Sequence, residues 1–206
     1  MNILGIVGSY RKMGNTDILV KKVLEGAKEN GITTDYIFLP DFNIKDCTGC
    51  EGCKNTYKCV IKDDMQKIYS LIEEADAIVI GSPTYFYNVT GITKNFLNRL
   101  YCYEIFDEDD RSVWMGLIEA IGTKYAVTVA VCEQEKEEDM GYTSLTLSRT
   151  LEAVGYRVVE NIKALHVYSK GEILKYEEEL NRALMAGRKL AKTLKLNKKV
   201  KSALTK

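Results

Sequence analysis

Apolar positions along the chain fall into two alternating patterns. Five short runs rich in β-branched residues lie at 2–8 (NILGIVG), 34–39 (TDYIFL), 76–82 (DAIVIGS), 124–132 (KYAVTVAVC) and 156–167 (YRVVENIKALHV). The first, third and fourth are almost continuously apolar, as parallel strands covered on both faces must be. Between the runs, near 15–30, 64–75, 91–104, 139–154 and 173–195, hydrophobic residues recur at helical spacing. In the first of these, Ile18, Leu19, Val23, Leu24 and Ala27 form one stripe, and Lys21, Lys22, Glu25 and Lys28 form another. Strand–helix alternation throughout predicts an α/β fold, a doubly wound five-stranded parallel sheet with right-handed crossovers.

Residues 1–206 read as one domain, long enough to bury a core without disulfides. Two segments exceed the minimal alternation: a cysteine-rich insertion at 47–59 and the acidic stretch EIFDEDDRS before Trp114. The basic tail, 190–206, reads as a solvated helix end. With 29 basic and 29 acidic residues there is no charge excess to attract nucleic acid, and no apolar run is long enough to cross a membrane. The N-terminus, MNILGIVGSY, lacks a basic leader and a cleavage site, so the expectation is a cytoplasmic protein, where structural disulfides do not persist.

The chemistry concentrates in three loops. GSYRKMGNT (8–16) joins the first strand to the first helix, where open α/β sheets bind phosphate at free backbone N–H groups. Ser9, Asn15 and Thr16 can donate hydrogen bonds, Arg11 carries a fork that fits phosphate oxygens, and Gly14 lets the backbone approach. Neither the dinucleotide fingerprint nor a P-loop is present. GSPTYFYNVTG (81–91) follows the third strand. In a sheet of order 2-1-3-4-5 it flanks the same crevice, and Ser82, Pro83, Thr84, Tyr85, Phe86 and Asn88 offer polar contacts and aromatic surface to a flat ring.

Cys47, Cys50, Cys53 and Cys59 are four of only six cysteines, in a C-x2-C-x2-C-x5-C run. The spacing admits a [4Fe–4S] cluster, structural zinc, or free and reversibly oxidised thiols. Asp63 or Asp64 is expected to cap the second helix, and Cys102, Cys132 and the single histidine, His166, are expected to pack. No Ser-His-Asp set can be assembled, and no catalytic side chain is assigned.

Together, G-S-x-R-x-x-G-N-T after strand one, G-S-P-x-Y after strand three, the downstream GITKNFLNR and the cysteine run resemble the iron–sulfur flavoproteins of the NAD(P)H-dependent FMN reductase family. The resemblance covers residues 1 to about 165 and implies a flavodoxin-like fold. By position it implies that Ser9, Arg11, Asn15 and Thr16 hold the FMN phosphate, while Pro83, Thr84, Tyr85, Phe86 and Asn88 line the ribityl chain and ring. It further implies a [4Fe–4S] cluster on the four cysteines, electron transfer from a ferredoxin-like donor to a small acceptor, and a homodimer or homotetramer. The alternative it carries is an NAD(P)H-dependent FMN or quinone reductase without a cluster. The loop after strand four, VCEQEKEEDMG, has no glycine before Gly141, and no flavin contact is assigned there.

Overall fold

Period-two alternation in the first strand decides how the layers form. In the computed structural model, which describes residues 1–205, β1 (Asn2–Val7) sends Ile3 and Val7 into one core and Leu4 and Ile6 into the other. β3 (Ala77–Pro83) repeats the division, with Ala77 and Val79 on one side and Ile78 and Ile80 on the other. With β2 (Thr33–Phe38), β6 (Lys124–Val131) and β7 (Tyr156–Ala164), these strands make a parallel sheet of order β2-β1-β3-β6-β7. This is the 2-1-3-4-5 order expected, and the fold is flavodoxin-like.

The first core is closed by α1 (Asn15–Lys28) and α6 (Glu177–Leu204), the second by α2 (Met65–Glu74), α3 (Gly91–Arg99) and α5 (Thr143–Ala153). α1 and α6 cross at two glycines: a Cβ on Gly26 would lie 2.0 Å from the Leu184 carbonyl oxygen, and one on Gly187 would lie 1.9 Å from that of Val23. Only hydrogen at both positions permits that approach.

Four boundaries differ from the sequence reading. The third helix ends at Arg99, and a 3-10 turn over Leu100–Tyr103 leads into a hairpin of β4 (Glu104–Phe106) and β5 (Trp114–Gly116), so the acidic stretch supplies β4 and most of the turn after it. A short α4 (Leu117–Ile121) follows. The basic tail is helical through Leu204 and buries Leu190, Ala191 and Leu194, so its first turns belong to the core. β7 stops at Ala164, and His166 is exposed at φ +56°, 3.7 Å from the Glu135 carboxylate, not packed as expected. A strand of nine residues is complete before it. Cys102 and Cys132 are buried, as the sequence suggests.

Candidate functional site

The carboxyl ends of β1 and β3 adjoin, and both following loops leave the sheet from there, at the point where the strand order reverses. A hydroxyl network locks them together. Thr90 caps α3 by accepting from the Thr93 amide, while the Thr90 and Thr93 hydroxyls both donate to the Gly8 carbonyl, at 2.6 and 3.2 Å. Ser82 is fully buried in this network: its oxygen accepts from the Thr90 amide at 3.1 Å and its hydroxyl donates to the Pro83 carbonyl. Ser82 therefore supports the two threonines that reach Gly8 and is not among the residues lining the crevice.

Between the loops lies a cavity of about 80 Å³ lined by Ser9, Arg11, Thr16, Thr84, Tyr85 and Tyr168, among others. α1 enters it with Gly14 as N-cap and no side-chain cap, which leaves its first amides directed at the cavity as an anion site. The Thr84 hydroxyl is buried there without a hydrogen-bond partner, whereas the Thr84 amide is tied to the Val131 carbonyl at 2.7 Å. An orphaned buried hydroxyl costs roughly 1 to 3 kcal/mol unless something completes it. These features fit a phosphorylated ring such as FMN.

The remaining side chains have divided roles. Ser9 accepts from the Arg11 amide at 3.2 Å. Arg11 lies over the Tyr168 ring, 5.1 Å from its centroid, and donates to the Tyr168 carbonyl at 2.9 Å. Asn15 uses both ends of its amide on the segment after β7, donating to Ser169 and accepting from the Ile173 amide. Asp17, buried behind the loop, accepts from the Met13 amide, Tyr36 and Lys21. Burial and this Asp17 contact push the Tyr36 hydroxyl well above the ordinary tyrosine range.

The aromatic loop is a tight hairpin turn. The backbones of Tyr85 and Asn88 pair at 2.7 and 3.2 Å, and the two residues between them, Phe86 and Tyr87, hold φ of +45° and +63°. That is the type I′ geometry, which asparagine and glycine favour and aromatics resist. Asn88 steadies it by accepting from Thr146 at 3.0 Å, and Tyr87 is held by the loop after β6: the Tyr142 amide donates to its carbonyl at 2.7 Å. Gly141, at φ +55°, has no room for a Cβ against the Tyr87 carbonyl. Phe86 is 99% exposed.

The cysteine loop sits behind α3. Cys53 and Cys59 are half-buried against the second core, Cys47 is intermediate and Cys50 is exposed. Burial, then the neighbouring thiolates of Cys59, Cys47 and Cys50, raises the Cys53 thiol. Backbone and Thr48 hydrogen bonds lower that of Cys50, and burial pushes Cys102 up to about 11. Four thiols carried on one loop suit iron or zinc in kind. Among the described residues, however, no three histidine, cysteine or carboxylate side chains converge on a common metal position. A broad depression of about 950 Å³ runs along edge strand β7. Of its charged lining residues, Lys163 pairs with Glu137 and Lys189 with Glu160, whereas Arg182 donates to the Asn161 carbonyl and one Glu179 oxygen is buried without a partner.

Residues 1–132 match the family described as NADPH-dependent FMN reductase. An iron-sulfur flavoprotein of Archaeoglobus fulgidus is 31% identical over 193 residues, covering 93% of this chain and 79% of its own length. The chain belongs to the NADPH-dependent FMN reductase family. An iron-sulfur flavoprotein of Methanocaldococcus jannaschii is 42% identical over 99 residues, 48% of this chain and 51% of that protein. In such stronger local matches the chain spans about half the length of the relative. Among solved structures, a flavone reductase superposes with a TM-score of 0.72 at 22% identity, covering 95% of this chain and 63% of the other.

The sequence pattern marked both loops whose residues line the cavity. It did not point to Tyr168 or Glu133, which line the same cavity from the ends of β7 and β6. No motif in HVYSKGE marks that return, which Asn15 and Arg11 tie to the first loop. Arg99 was also missed, although Ile92, Phe96, Arg99 and Tyr103 lie on one helical stripe, and a cation on an apolar stripe is a signal.

Proposed function

We propose that the chain is an FMN-dependent oxidoreductase that passes electrons between a one-electron donor of the ferredoxin type and a small acceptor. The observation that carries this reading is the buried, unpartnered Thr84 hydroxyl beside the uncapped start of α1. Amides of Asn15 and Thr16 would hold the phosphate with Ser9 and Arg11, while Thr84 would donate to or accept from the bound group. Tyr85 and Pro83 would wall the ring, and Tyr168 would close the cavity against water. FMN, when bound, supplies chemistry in which electrons enter or leave singly or as a hydride.

In this reading Cys47, Cys50, Cys53 and Cys59 ligate a [4Fe–4S] cluster, as the names of the relatives suggest for those proteins. The separation of the thiols favours a second reading, an NAD(P)H-dependent reductase of flavins or quinones whose cysteines are free. Iron and acid-labile sulfide measured on anaerobically purified protein decide between them: absence of both removes the cluster. Rapid bleaching of the flavin by NADH or NADPH favours the reductase.

The exposed rings of Phe86, Tyr87 and Tyr142 surround the crevice and support a homodimer or homotetramer that covers them. Six unpaired cysteines support a reducing, cytoplasmic setting. Among the described residues no helix is long and apolar enough to cross a membrane.

Thr84→Val tests the carrying observation. It removes the orphaned hydroxyl, so the midpoint of the flavin-free protein should hold or rise while FMN affinity falls about tenfold, the equivalent of ~1.4 kcal/mol. Unchanged affinity in a fluorescence titration would count against a flavin in this crevice.

A further inference from the structure

Arg99 closes α3 with its side chain fully buried; its Nε has no hydrogen-bond partner, and every hydrogen bond the side chain makes goes to the two ends of the cysteine loop. One terminal nitrogen donates to the Lys45 carbonyl at 2.9 Å and to Asp63 at 2.6 Å. The other donates to Asp63 at 3.2 Å and to the Ile61 carbonyl at 3.4 Å. The Asp63 carboxylate is buried to the same degree, 1% exposed against 0% for Arg99. Besides the guanidinium it accepts from the Lys45 amide at 2.9 Å and the Met65 amide at 3.1 Å. Residue 45 and residues 61–65 are thereby fastened into one neck, and all four clustered cysteines lie between them.

A second fastener works from the surface. Gln66, on α2, donates from one amide nitrogen to the Cys59 carbonyl at 3.0 Å and the Ile61 carbonyl at 2.7 Å. The anchor on the α3 side is firm, because the Arg99 carbonyl accepts from the Tyr69 hydroxyl at 2.6 Å inside the core. A buried ion pair of this kind is a poor device for general stability, since a well-packed apolar pair does as well. Its value lies in geometry: a planar fork reaches two carbonyls and a carboxylate at once, and a lysine cannot. The loop between the fastened ends has little core of its own, so open ends would leave the thiols free to separate.

We propose that Arg99 is the positioning residue of the cysteine loop, closing its neck while Gln66 secures the C-terminal end, so that the four thiols are confined to one short loop that can gather around a cluster. This rests on the cluster reading of the preceding section, and the test separates the two. Wild type, Arg99→Met, Arg99→Lys and Gln66→Ala are purified anaerobically, and iron, sulfide and FMN are counted per chain. Survival of the cluster absorbance is then followed in air, and tryptic cleavage at Lys54 and Lys58 is followed on the iron-free reduced protein.

The expected result is full FMN retention with cluster loss at least tenfold faster in Arg99→Met. Arg99→Lys, which keeps charge and loses the fork, should lie closer to Arg99→Met than to wild type, and Gln66→Ala should be intermediate. Cleavage at Lys54 and Lys58 should rise in the same order. If Arg99→Met loses FMN as well, Arg99→Lys and Gln66→Ala decide. Wild-type cluster lifetime and wild-type cleavage in both of those variants would overturn the proposal. A wild-type protein free of iron and sulfide would overturn the cluster reading alone, and the cleavage rates would still judge the neck.

Discussion

Gly8→Ala should give a folded protein that no longer holds FMN. The added Cβ would lie 1.8 Å from the Thr93 hydroxyl and 3.2 Å from the Gly81 carbonyl. The hydroxyl cannot swing away, because it belongs to the network that joins Gly8, Ser82 and Thr90. The two loops must part instead, and their spacing is what the crevice consists of. Affinity should fall about a hundredfold or more, ~2.7 kcal/mol, within the range for an overpacked interior. Far-ultraviolet circular dichroism should hold, since β1 ends at Val7 and the closest obstacle is the Thr93 side chain. Adding Thr93→Ala removes the nearest atom and should restore part of the binding. Titration of Gly8→Ala with FMN at near wild-type affinity would show that the loops can separate freely, and the site would have to be placed elsewhere.

Gly187→Ala should produce the largest loss of stability among single methyl additions on the helices. The obstacle is the Val23 backbone at 1.9 Å, which no rotamer change can move, and Gly26 faces Leu184 equally closely across the same crossing. α6 must lift from α1, uncovering part of the first core. We expect a cost of about 3 kcal/mol, at the upper end for overpacking, which lowers the melting temperature by about 6 to 12 °C for a chain of this size. Gly91→Ala is the matched control, because a Cβ there meets nothing within 4 Å. Equal melting temperatures for the two variants would mean the helices are not in backbone contact.

The sheet was legible because a buried parallel strand has few alternatives to a continuous apolar run, as Ile3 to Val7 and Ala77 to Ile80 show. The loop after β1 was legible as a candidate anion site for a related reason: its position at the end of the first strand, more than its residues, marks it. Side-chain direction was not legible. Ser82 reads as a ligand but serves the buried network, because alternation along β3 turns it from the crevice. Asn15 donates to a segment more than 150 positions away, a contact with no local signature. The hairpin β4–β5 was hidden because three-residue strands carry too few alternations to register. Asp63 or Asp64 was expected to cap α2; Asp64 holds the N-cap position without a side-chain cap bond, and Asp63 accepts from the Met65 amide, yet the larger role of Asp63 depends on Arg99, and nothing in a linear pattern pairs those two.

The twisted tip at Phe86 and Tyr87 bears on how this molecule should be engineered. A thermostability screen run on the isolated chain would favour glycine or asparagine at both positions, since those residues accept the backbone they find there at lower cost. Such a screen would enrich hardier molecules stripped of the rings beside the crevice. Libraries that vary this tip should therefore be sorted first on turnover with flavin supplied, and only afterwards on heat.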